Sequence, residues 1–332
     1  MPRALVLDGP RQLRLAEQDS LPLQPGQARL HARLSGISHG TELNLYRGTS
    51  AFMDKVFDRG LRAFVTPPAG SAAAYPVTLG YEMVSEVVEV APDVTAIKVG
   101  DLVHTGTPHQ EESVLDVEAS LAATYPLVVL PTDERLERAL FISLSAVALQ
   151  AVHDAEIKLG DSVSVHGMGA IGLMAIQMCL LEGIQNVFAI DPDPGRRALA
   201  VRFGATDVLD PTADEPVGLQ GALGAAGLSA TVVAAGFYQG GAAHLHLGEE
   251  FHHNRLSLIA SIGGWGTPNR HAPLWDRRRV LDVATRLLYT DRVSVAGLLD
   301  RTVPFDQAPQ AYSWLDEHPQ EAVKVALDYS GT

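Results

Sequence analysis

The sequence predicts an α/β protein in which a doubly wound parallel sheet is joined to a β-rich domain. From residue 1 to about 137, short apolar runs alternate with Gly, Pro and Asp turns, which is typical of a β-rich domain. From about 138 to 290, candidate strands and helices alternate, as they do around a parallel sheet. Residues 291–332 return to a mixed pattern, and we expect them to complete the N-terminal domain.

The individual elements follow from hydrophobic periodicity and from the turn residues that bound each run. The predicted strands of the first domain are Ala4–Leu7, Gln27–Leu34, Met83–Val90, Leu102–His104 and Leu127–Leu130. Those of the second domain are Asp161–Val165, Asn186–Ile190, Asp207–Leu209, Thr231–Ala235 and Leu256–Ile262, with helices to about Leu181 and over Asp276–Tyr289, and a helix and a turn over 195–205. The C-terminal elements are a strand near Arg301–Val303, a helix near Ala308–Glu317 and a strand at Val323–Asp328.

Residues 161–191 carry the most informative motif. A β-branched run leads into Gly167-Met-Gly169-Ala-Ile-Gly172, an apolar helix follows, and the next strand ends at Asp191. In this setting the pattern is the dinucleotide-binding fingerprint. Gly167 allows a tight turn, Gly169 lets the backbone approach a pyrophosphate, and Gly172 lets the helix pack on the sheet. The helix N-terminus offers free N–H groups to the phosphates.

The choice of cofactor depends on Asp191. A carboxylate at this position accepts hydrogen bonds from both ribose hydroxyls of NAD and repels a 2′-phosphate, so we expect NAD. Arg196 and Arg197 follow closely and leave NADP open. The predicted cofactor-binding residues of this region are Gly167, Gly169, Ala170, Ile171, Gly172, Asp191, Arg196 and Gly236.

Composition excludes several classes of function. The 332-residue chain has a net charge of −14, which argues against nucleic acid or an anionic membrane as a partner. The N-terminus lacks the regions of a signal peptide, and we see no apolar run of about 18 residues, so a cytoplasmic protein without a membrane span is expected. The single cysteine, Cys179, lies inside a predicted helix and is expected to be a buried thiol.

Four segments resemble the medium-chain dehydrogenase/reductase superfamily, and the resemblance covers essentially the whole chain. SGISHGTELNLYRG (35–48) resembles the segment that carries the first catalytic zinc cysteine, and residues 79–103 resemble the Gly-His-Glu segment and the strand after it. Residues 251–265 and 311–329 also fit. The resemblance implies a GroES-like catalytic domain over 1–137 completed by 291–332, and a Rossmann domain over 138–290. The GISxGTE and GYE variants look most like the branch that contains bacteriochlorophyllide a dehydrogenase.

The metal ligands of that superfamily are replaced in this chain. Ser38 stands at the first ligand position, Tyr81 at the second and, by similarity to the helix after Phe141, Ser143 at the third. Hydroxyls are poor zinc ligands compared with thiolate or imidazole, and the four-cysteine lobe is absent, so we predict no catalytic zinc. The alternative is a rebuilt site made from His39, Glu42, Glu82 or His109.

Without zinc, other groups must polarise the substrate oxygen and move its proton. Tyr81 is the first candidate, either with a lowered pKa or mainly as a hydrogen-bond donor, and Glu82 is expected to orient it. Thr41 lies near the usual hydroxyl relay position, and His109 in the TPHQE turn is a possible acid or base. His39 follows the first ligand position, where related enzymes often direct a basic residue to the pyrophosphate. The alternatives are packing for Tyr81, a turn hydroxyl for Thr41, a surface loop for His109 and a structural acid for Glu82.

These observations together predict an NAD-dependent, zinc-independent oxidoreductase of secondary alcohols and ketones, with substrate and nicotinamide in a cleft between the domains. The aromatic segment 46–75 suggests a fairly large substrate, such as a sugar-derived, polyketide or tetrapyrrole compound, unless it is a loop with its own small core. Leu256–Trp265 is expected to join two Rossmann sheets in a homodimer. The alternatives are an NADPH-dependent quinone or enoyl reductase, a non-catalytic nucleotide-binding protein and, less favoured, an S-adenosylmethionine site.

Four histidines within ten residues invite a metal hypothesis, which we do not favour. His244 and His246 are two residues apart and would point away from each other on a helix, while His252 and His253 precede a strand. Trp265 and Trp275 flank a Gly-rich turn and are expected to cover the nicotinamide or pack a subunit contact.

Overall fold

The computed structural model describes residues 1–53, 55–58, 60–67, 75–123, 125–132, 134–211, 218–238, 241–262 and 272–331. The chain divides into two compact units. The first consists of Met1–Leu140, Phe237–Gly241 and Leu299–Thr332, and the second of Phe141–Gly236 and Ala242–Leu298.

The elements are numbered here in chain order. The strands are β1 (Arg3–Gly9), β2 (Gln12–Glu17), β3 (Gln27–Ile37), β4 (Val56–Asp58), β5 (Ala63–Val65), β6 (Val77–Thr78), β7 (Met83–Val90), β8 (Leu102–Thr105), β9 (Glu112–Asp116), β10 (Val128–Val129), β11 (Ser162–His166), β12 (Asn186–Ile190), β13 (Asp207–Leu209), β14 (Thr231–Ala234), β15 (Ser257–Ala260), β16 (Leu299–Pro304) and β17 (Lys324–Asp328). The α-helices are α1 (Glu42–Arg47), α2 (Val117–Leu121), α3 (Ile142–Asp154), α4 (Ala170–Leu181), α5 (Pro194–Arg202), α6 (Leu219–Ala225), α7 (Glu250–His253), α8 (Arg277–Tyr289) and α9 (Ala308–Glu317). Short 3₁₀ helices cover Ala51–Met53, Leu136–Phe141 and Phe305–Gln307.

The first unit is built on a mainly antiparallel sheet with the strand order β10-β8-β7-β3-β17-β16, and β9 also pairs with β3. The C-terminal strand β17 enters this sheet beside β3, where Val325 pairs with Ile37. The two ends of the chain therefore form one core. The strands β2, β1 and β6 form a second, smaller sheet, and β4 and β5 form a hairpin within segment 46–75. The Pro- and Ala-rich end of that segment, residues 68–74, lies outside the described residues.

The second unit contains parallel strands covered by helices. β11, β12 and β13 form one parallel ladder, and β14 and β15 form another. Within the described strands no ladder joins β11 to β14. Helix α4 is buried along most of its length because its residues are almost all apolar, and α3 packs against α4 and α8. The predicted α/β fold class is confirmed.

Two local features bear on the sequence analysis. Cys179 is buried, and burial raises the pKa of its thiol to about 11, which suits a structural role. The helical run Leu136–Asp154 is long and apolar enough to cross a membrane by length and composition. The sequence analysis expected no such run, because the charged residues Glu137 and Arg138 interrupt the apolar residues. The helical run is 56% buried over its most apolar window, and its larger part, α3, packs against other helices as a core helix does.

Candidate active site

The segment after β3 holds the first hydroxyl of the candidate site. Ser38 follows the end of β3, and its backbone N–H donates to Glu42 Oε1 at 2.9 Å. The Glu42 N–H donates in return to the Ser38 carbonyl oxygen at 2.9 Å, so the turn into α1 is held from both sides. Thr41 is half-buried directly before α1, and its hydroxyl does not cap the helix. His39 lies half-buried in the same turn.

Tyr81 supplies the second hydroxyl, and Gly80 explains its position. Gly80 has a φ of +109°, and a Cβ at this position would lie 2.6 Å from the His109 backbone nitrogen, so only glycine fits. The Tyr81 hydroxyl then forms a hydrogen bond with Ser38 Oγ. Its ring stacks on Tyr125, with the ring centroids 4.9 Å apart. The structure therefore brings together the hydroxyls of Ser38 and Tyr81, which the sequence analysis placed at the first two ligand positions.

The electrostatic surroundings of Tyr81 determine its protonation state. Burial raises the pKa of the Tyr81 phenol well above its usual value, and the nearby carboxylates of Glu82 and Glu42 raise it further. The phenol is therefore protonated at neutral pH. A neutral phenol can donate a hydrogen bond but cannot act as a phenolate base.

Behind the hydroxyl pair lies a buried polar network. His109 is completely buried rather than on a surface loop, and its Nε2 lies 3.0 Å from Glu42 Oε2. Its Nδ1 lies 2.7 Å from Ser35 Oγ, which also contacts the Tyr329 hydroxyl at 2.9 Å. The Tyr312 hydroxyl donates to Glu42 Oε2. The His109 imidazole is thus enclosed by protein partners, which removes it as a freely accessible acid or base.

The sequence analysis expected Glu82 to orient Tyr81, but in the structure Glu82 is paired with Lys324. Its Oε2 accepts a hydrogen bond from Lys324 Nζ, and both side chains are buried. Burial raises the pKa of Glu82, and Lys324 opposes that effect. A Cβ on Gly36 would lie 2.6 Å from Glu82 Oε2, so the backbone of β3 packs directly against the pair. Glu82 therefore contacts Lys324 rather than the Tyr81 hydroxyl.

The residues present do not fit a zinc ion. Ser38 and Tyr81, which the sequence analysis placed at two ligand positions, offer neutral hydroxyls bonded to each other, and zinc prefers thiolate and imidazole. Within the described parts of the chain, no three His, Cys, Asp or Glu side chains form a group that could hold a metal. Of the alternative rebuilt set, Glu42 and His109 contact each other, whereas Glu82 is bound to Lys324. Ser143 is a buried residue of α3 in the second unit.

The glycine turn of the second unit fits a dinucleotide phosphate. Gly167 has a φ of +94°, and a Cβ on Gly172 would lie 2.0 Å from the Gly167 carbonyl oxygen, so the protein itself requires both glycines. Gly169 precedes α4 with an ordinary φ of −76°, and nothing lies within 4 Å of a Cβ built there. The open space at Gly169 is the place at which a phosphate can approach the N-terminus of α4.

Asp191 organises this turn. Its Oδ2 accepts the Met168 N–H at 2.7 Å, and its Oδ1 accepts the Asp193 N–H at 2.8 Å. A carboxylate has about four acceptor positions, so both oxygens retain capacity for ribose hydroxyls. Arg197 is directed to the Asp191 carbonyl oxygen at 2.7 Å and to Asp210 at 2.9 Å. Arg196 lies in the first turn of α5, where its N–H donates to Asp193.

The remaining predicted cofactor-binding residues lie at the start of a helix or just after a strand of the second unit. Ala170 and Ile171 form the first turn of α4, and Gly236 is exposed just after β14. Trp265 lies outside the described residues. The ring of Trp275 instead packs against His153, with the centroids 4.4 Å apart.

The three glycines lead to a test of the turn. We expect Gly169→Ala to leave the melting temperature within about 2 °C of the original, because its methyl group meets open space, while binding of a dinucleotide weakens at least tenfold. Gly172→Ala is expected to lower the melting temperature, because its methyl group collides with backbone. Thermal denaturation and fluorescence titration with NADH measure both. Equal NADH affinity in Gly169→Ala and the original protein would contradict this assignment of the turn.

Sequence reasoning missed the four residues that complete the network around Glu42 and Glu82. They are Ser35, Tyr312, Lys324 and Tyr329. Only Lys324 carried a signal, since it is a cation between the apolar residues Val323 and Val325 at the start of β17, where an unpaired buried charge is costly.

Comparisons with known proteins agree with the fold. Residues 24–122 match the alcohol dehydrogenase GroES-like domain family. D-guloside 3-dehydrogenase of Escherichia coli K12 is 27% identical over 98% of this chain and 100% of its own length. Galactitol-1-phosphate dehydrogenase from Escherichia coli superimposes with a TM-score of 0.75 at 20% identity, covering 98% of this chain and 100% of that one.

A structure described as a short chain alcohol dehydrogenase from Escherichia coli CFT073, complexed with NADH, has a TM-score of 0.75 at 17% identity and covers 99% of both chains. The similarity extends over both units, and the relatives named above are dehydrogenases. The homologues and structural neighbours of this chain are dehydrogenases of the medium-chain dehydrogenase/reductase type, and the chain is similar to them over nearly its whole length.

Proposed function

We propose that this protein is an NAD-dependent oxidoreductase that interconverts a secondary alcohol and a ketone without a catalytic zinc. The observation that carries the proposal is the bonded pair formed by Ser38 Oγ and the Tyr81 hydroxyl at two metal-ligand positions. The cofactor would supply the hydride exchange. The Gly167–Gly172 turn and Asp191 would bind its pyrophosphate and adenosine ribose.

The role of the hydroxyl pair follows from its protonation. Because the Tyr81 phenol remains neutral, it can donate a hydrogen bond to a carbonyl oxygen and stabilise the negative charge that develops there. In this role Ser38 Oγ–H donates to the Tyr81 oxygen, which leaves the single phenol proton for the carbonyl oxygen of the substrate. Thr41 is the next hydroxyl along the chain and is our second candidate for passing the proton onward.

A cavity in the first unit lies beside the stacked rings of Tyr81 and Tyr125. It has a volume of about 250 Å³ and is lined by the residues Thr105, Gly106, Thr107, Leu115, Ser120, Ala123, Tyr125 and Leu127. Tyr125 both lines this cavity and stacks on Tyr81. The modest volume and the four hydroxyl-bearing residues favour a sugar-derived alcohol over a tetrapyrrole or polyketide. The similarity to D-guloside 3-dehydrogenase points to the same class.

A substrate panel tests the proposal. Sugar-derived secondary alcohols, simple alcohols and conjugated enones are assayed with NAD(H) and NADP(H), monitored at the nicotinamide absorbance. Turnover of a sugar-derived secondary alcohol with NAD supports the proposal. Turnover confined to enones with NADPH would identify a C=C reductase instead, and NADH binding without any turnover would identify a nucleotide-binding protein.

The cofactor preference gives a separate prediction. We expect kcat/KM with NAD to exceed that with NADP at least tenfold, because the Asp191 carboxylate repels a 2′-phosphate. Asp191→Asn should reduce this ratio, whereas Asp193→Asn, which removes a carboxylate that caps α5, should preserve it. A preference for NADP in the original protein would contradict the role of Asp191.

We also propose a homodimer and a cytoplasmic location. Among the described strands β15 pairs with β14 alone, which leaves one edge of that ladder available to a second copy. Residues 263–271 of the predicted contact segment lie outside the described residues. Light scattering coupled to size exclusion tests the proposal, which predicts twice the 35.4 kDa chain mass.

A further inference from the structure

Glu42 lies at the centre of the buried network and connects its parts. Oε1 accepts the Ser38 N–H at 2.9 Å, while Oε2 receives the Tyr312 hydroxyl and lies 3.0 Å from His109 Nε2. Burial alone would raise the pKa of this carboxyl, but His109 and the three hydrogen bonds outweigh burial and hold its pKa below the usual value. Glu42 is therefore an ionised carboxylate in the interior.

His109 is itself held firmly on every side. Its backbone N–H donates to the Leu79 carbonyl oxygen at 2.8 Å, and its carbonyl oxygen accepts the Leu5 N–H at 2.9 Å. Its Nδ1 contacts Ser35 Oγ, which is bound in turn by Tyr329. A continuous chain of hydrogen bonds therefore runs from Tyr329 through Ser35, His109 and Glu42 to the Ser38 peptide.

Stability alone gives a weak reason for such a network. Replacing buried charged groups with apolar residues of similar volume is often neutral or stabilising, so a buried carboxylate is poor evidence of a stabilising role. At one end, however, the chain of bonds reaches the peptide that carries the Ser38 hydroxyl. Rigid support of this kind is what a precisely oriented catalytic group requires.

We propose that Glu42, His109 and Tyr312 are positioning residues that hold Ser38, and through Ser38 the Tyr81 hydroxyl, in its working direction. This inference rests on the proposed function of the Ser38–Tyr81 pair. The three residues do not touch the substrate. They act by fixing the Ser38 peptide through Glu42 Oε1, and His109 and Tyr312 act by fixing Glu42 Oε2.

The kinetic test uses Tyr312→Phe, the mildest change in the network, which removes the hydroxyl that donates a hydrogen bond to Glu42 Oε2. We expect kcat to fall about tenfold, the size expected for one hydrogen bond to a charged group, with KM for NAD unchanged. In a Tyr81→Phe background the same change should lower kcat less than about twofold, because the group being positioned is absent. Tyr46→Phe is the matched control, since Tyr46 is buried with its ring 5.6 Å from that of Tyr312 but donates nothing to Glu42.

A spectroscopic test is independent of turnover. All eight tyrosines are replaced biosynthetically by 3-fluorotyrosine, and the Tyr81 signal in the ¹⁹F NMR spectrum is assigned by its loss in Tyr81→Phe. We expect the Tyr81 signal to shift in Tyr312→Phe, His109→Gln and Glu42→Gln and to stay in place in Tyr46→Phe. If these shifts occur in a protein that turns over no substrate, the positioning is upheld and the proposed function fails.

Two results would overturn the inference. One is an unmoved Tyr81 signal in all three network variants with folded protein. The other is a full tenfold loss for Tyr312→Phe in the Tyr81→Phe background, because that loss would show that Tyr312 acts independently of the hydroxyl pair.

Discussion

Replacement of Tyr81 by phenylalanine is expected to lower kcat about 10²–10⁴-fold, the usual contribution of a positioned proton donor. The change removes one oxygen atom, which is bonded to Ser38 Oγ, and leaves the ring stacked on Tyr125. Packing is therefore preserved, and KM for NAD should stay within about twofold. The measurement is steady-state kinetics from pH 6 to pH 9 with the best substrate of the panel.

The control for this experiment is Tyr75→Phe. Tyr75 also loses a hydroxyl bond, to the Leu45 carbonyl oxygen at 3.1 Å, but it lies outside the network around Ser38. We expect its kcat to match that of the original protein. Unchanged turnover in Tyr81→Phe over the whole pH range would remove Tyr81 from the chemistry and leave it as a packing residue.

The second large effect concerns the Glu82–Lys324 pair. Lys324→Met is expected to lower the free energy of unfolding by about 3–5 kcal/mol at neutral pH, because it leaves the Glu82 carboxylate buried without its cation. The double variant Glu82→Gln/Lys324→Met removes both charges and should recover most of this loss. Urea denaturation of the original protein, the single variant and the double variant measures the three values.

The loss in Lys324→Met should also depend on pH. Burial already raises the pKa of Glu82 in the folded protein above its value in the unfolded chain. Between these two pKa values the folded state binds more protons than the unfolded state. The free energy of unfolding therefore falls as pH rises through that range. Removal of Lys324 raises the folded-state pKa further. The deficit should therefore be smallest below about pH 4, where the carboxyl is protonated in both states, and grow toward neutral pH. A deficit that does not vary with pH would contradict this explanation.

Local patterns predicted much of the fold. Asn186–Ile190, Asp207–Leu209 and Ala308–Glu317 occur with the predicted bounds, because each is a short apolar or amphipathic run between clear turn residues. The strand predicted over Leu256–Ile262 is shorter, Ser257–Ala260, because hydrophobicity continues beyond the paired residues. Hydrophobic periodicity reports burial, whereas pairing depends on a neighbouring strand that the pattern does not reveal.

The site was less predictable, for two physical reasons. The partners of Glu42 and Glu82 on the C-terminal elements are 270 and 242 residues away, so the contacts depend on the placement of β17 and α9 against the N-terminal sheet. His109 is flanked by turn residues and suggests a loop, but the bridge between Ala4 and Gln110 joins this segment to β1 and buries the ring. Among these contacts, the sequence suggested only that the Ser38 and Tyr81 hydroxyls lie close together, because the superfamily resemblance places both residues at metal-ligand positions.

The central claim is that a hydroxyl pair has replaced the metal, and the metal content of active protein tests it most directly. Untagged protein from cells grown with added zinc is analysed by plasma mass spectrometry, and the same sample is assayed before and after chelation. We predict far less than one zinc per chain, with NADH binding and turnover unchanged by the chelator. About one tightly held zinc per chain, whose removal abolishes turnover, would contradict the account.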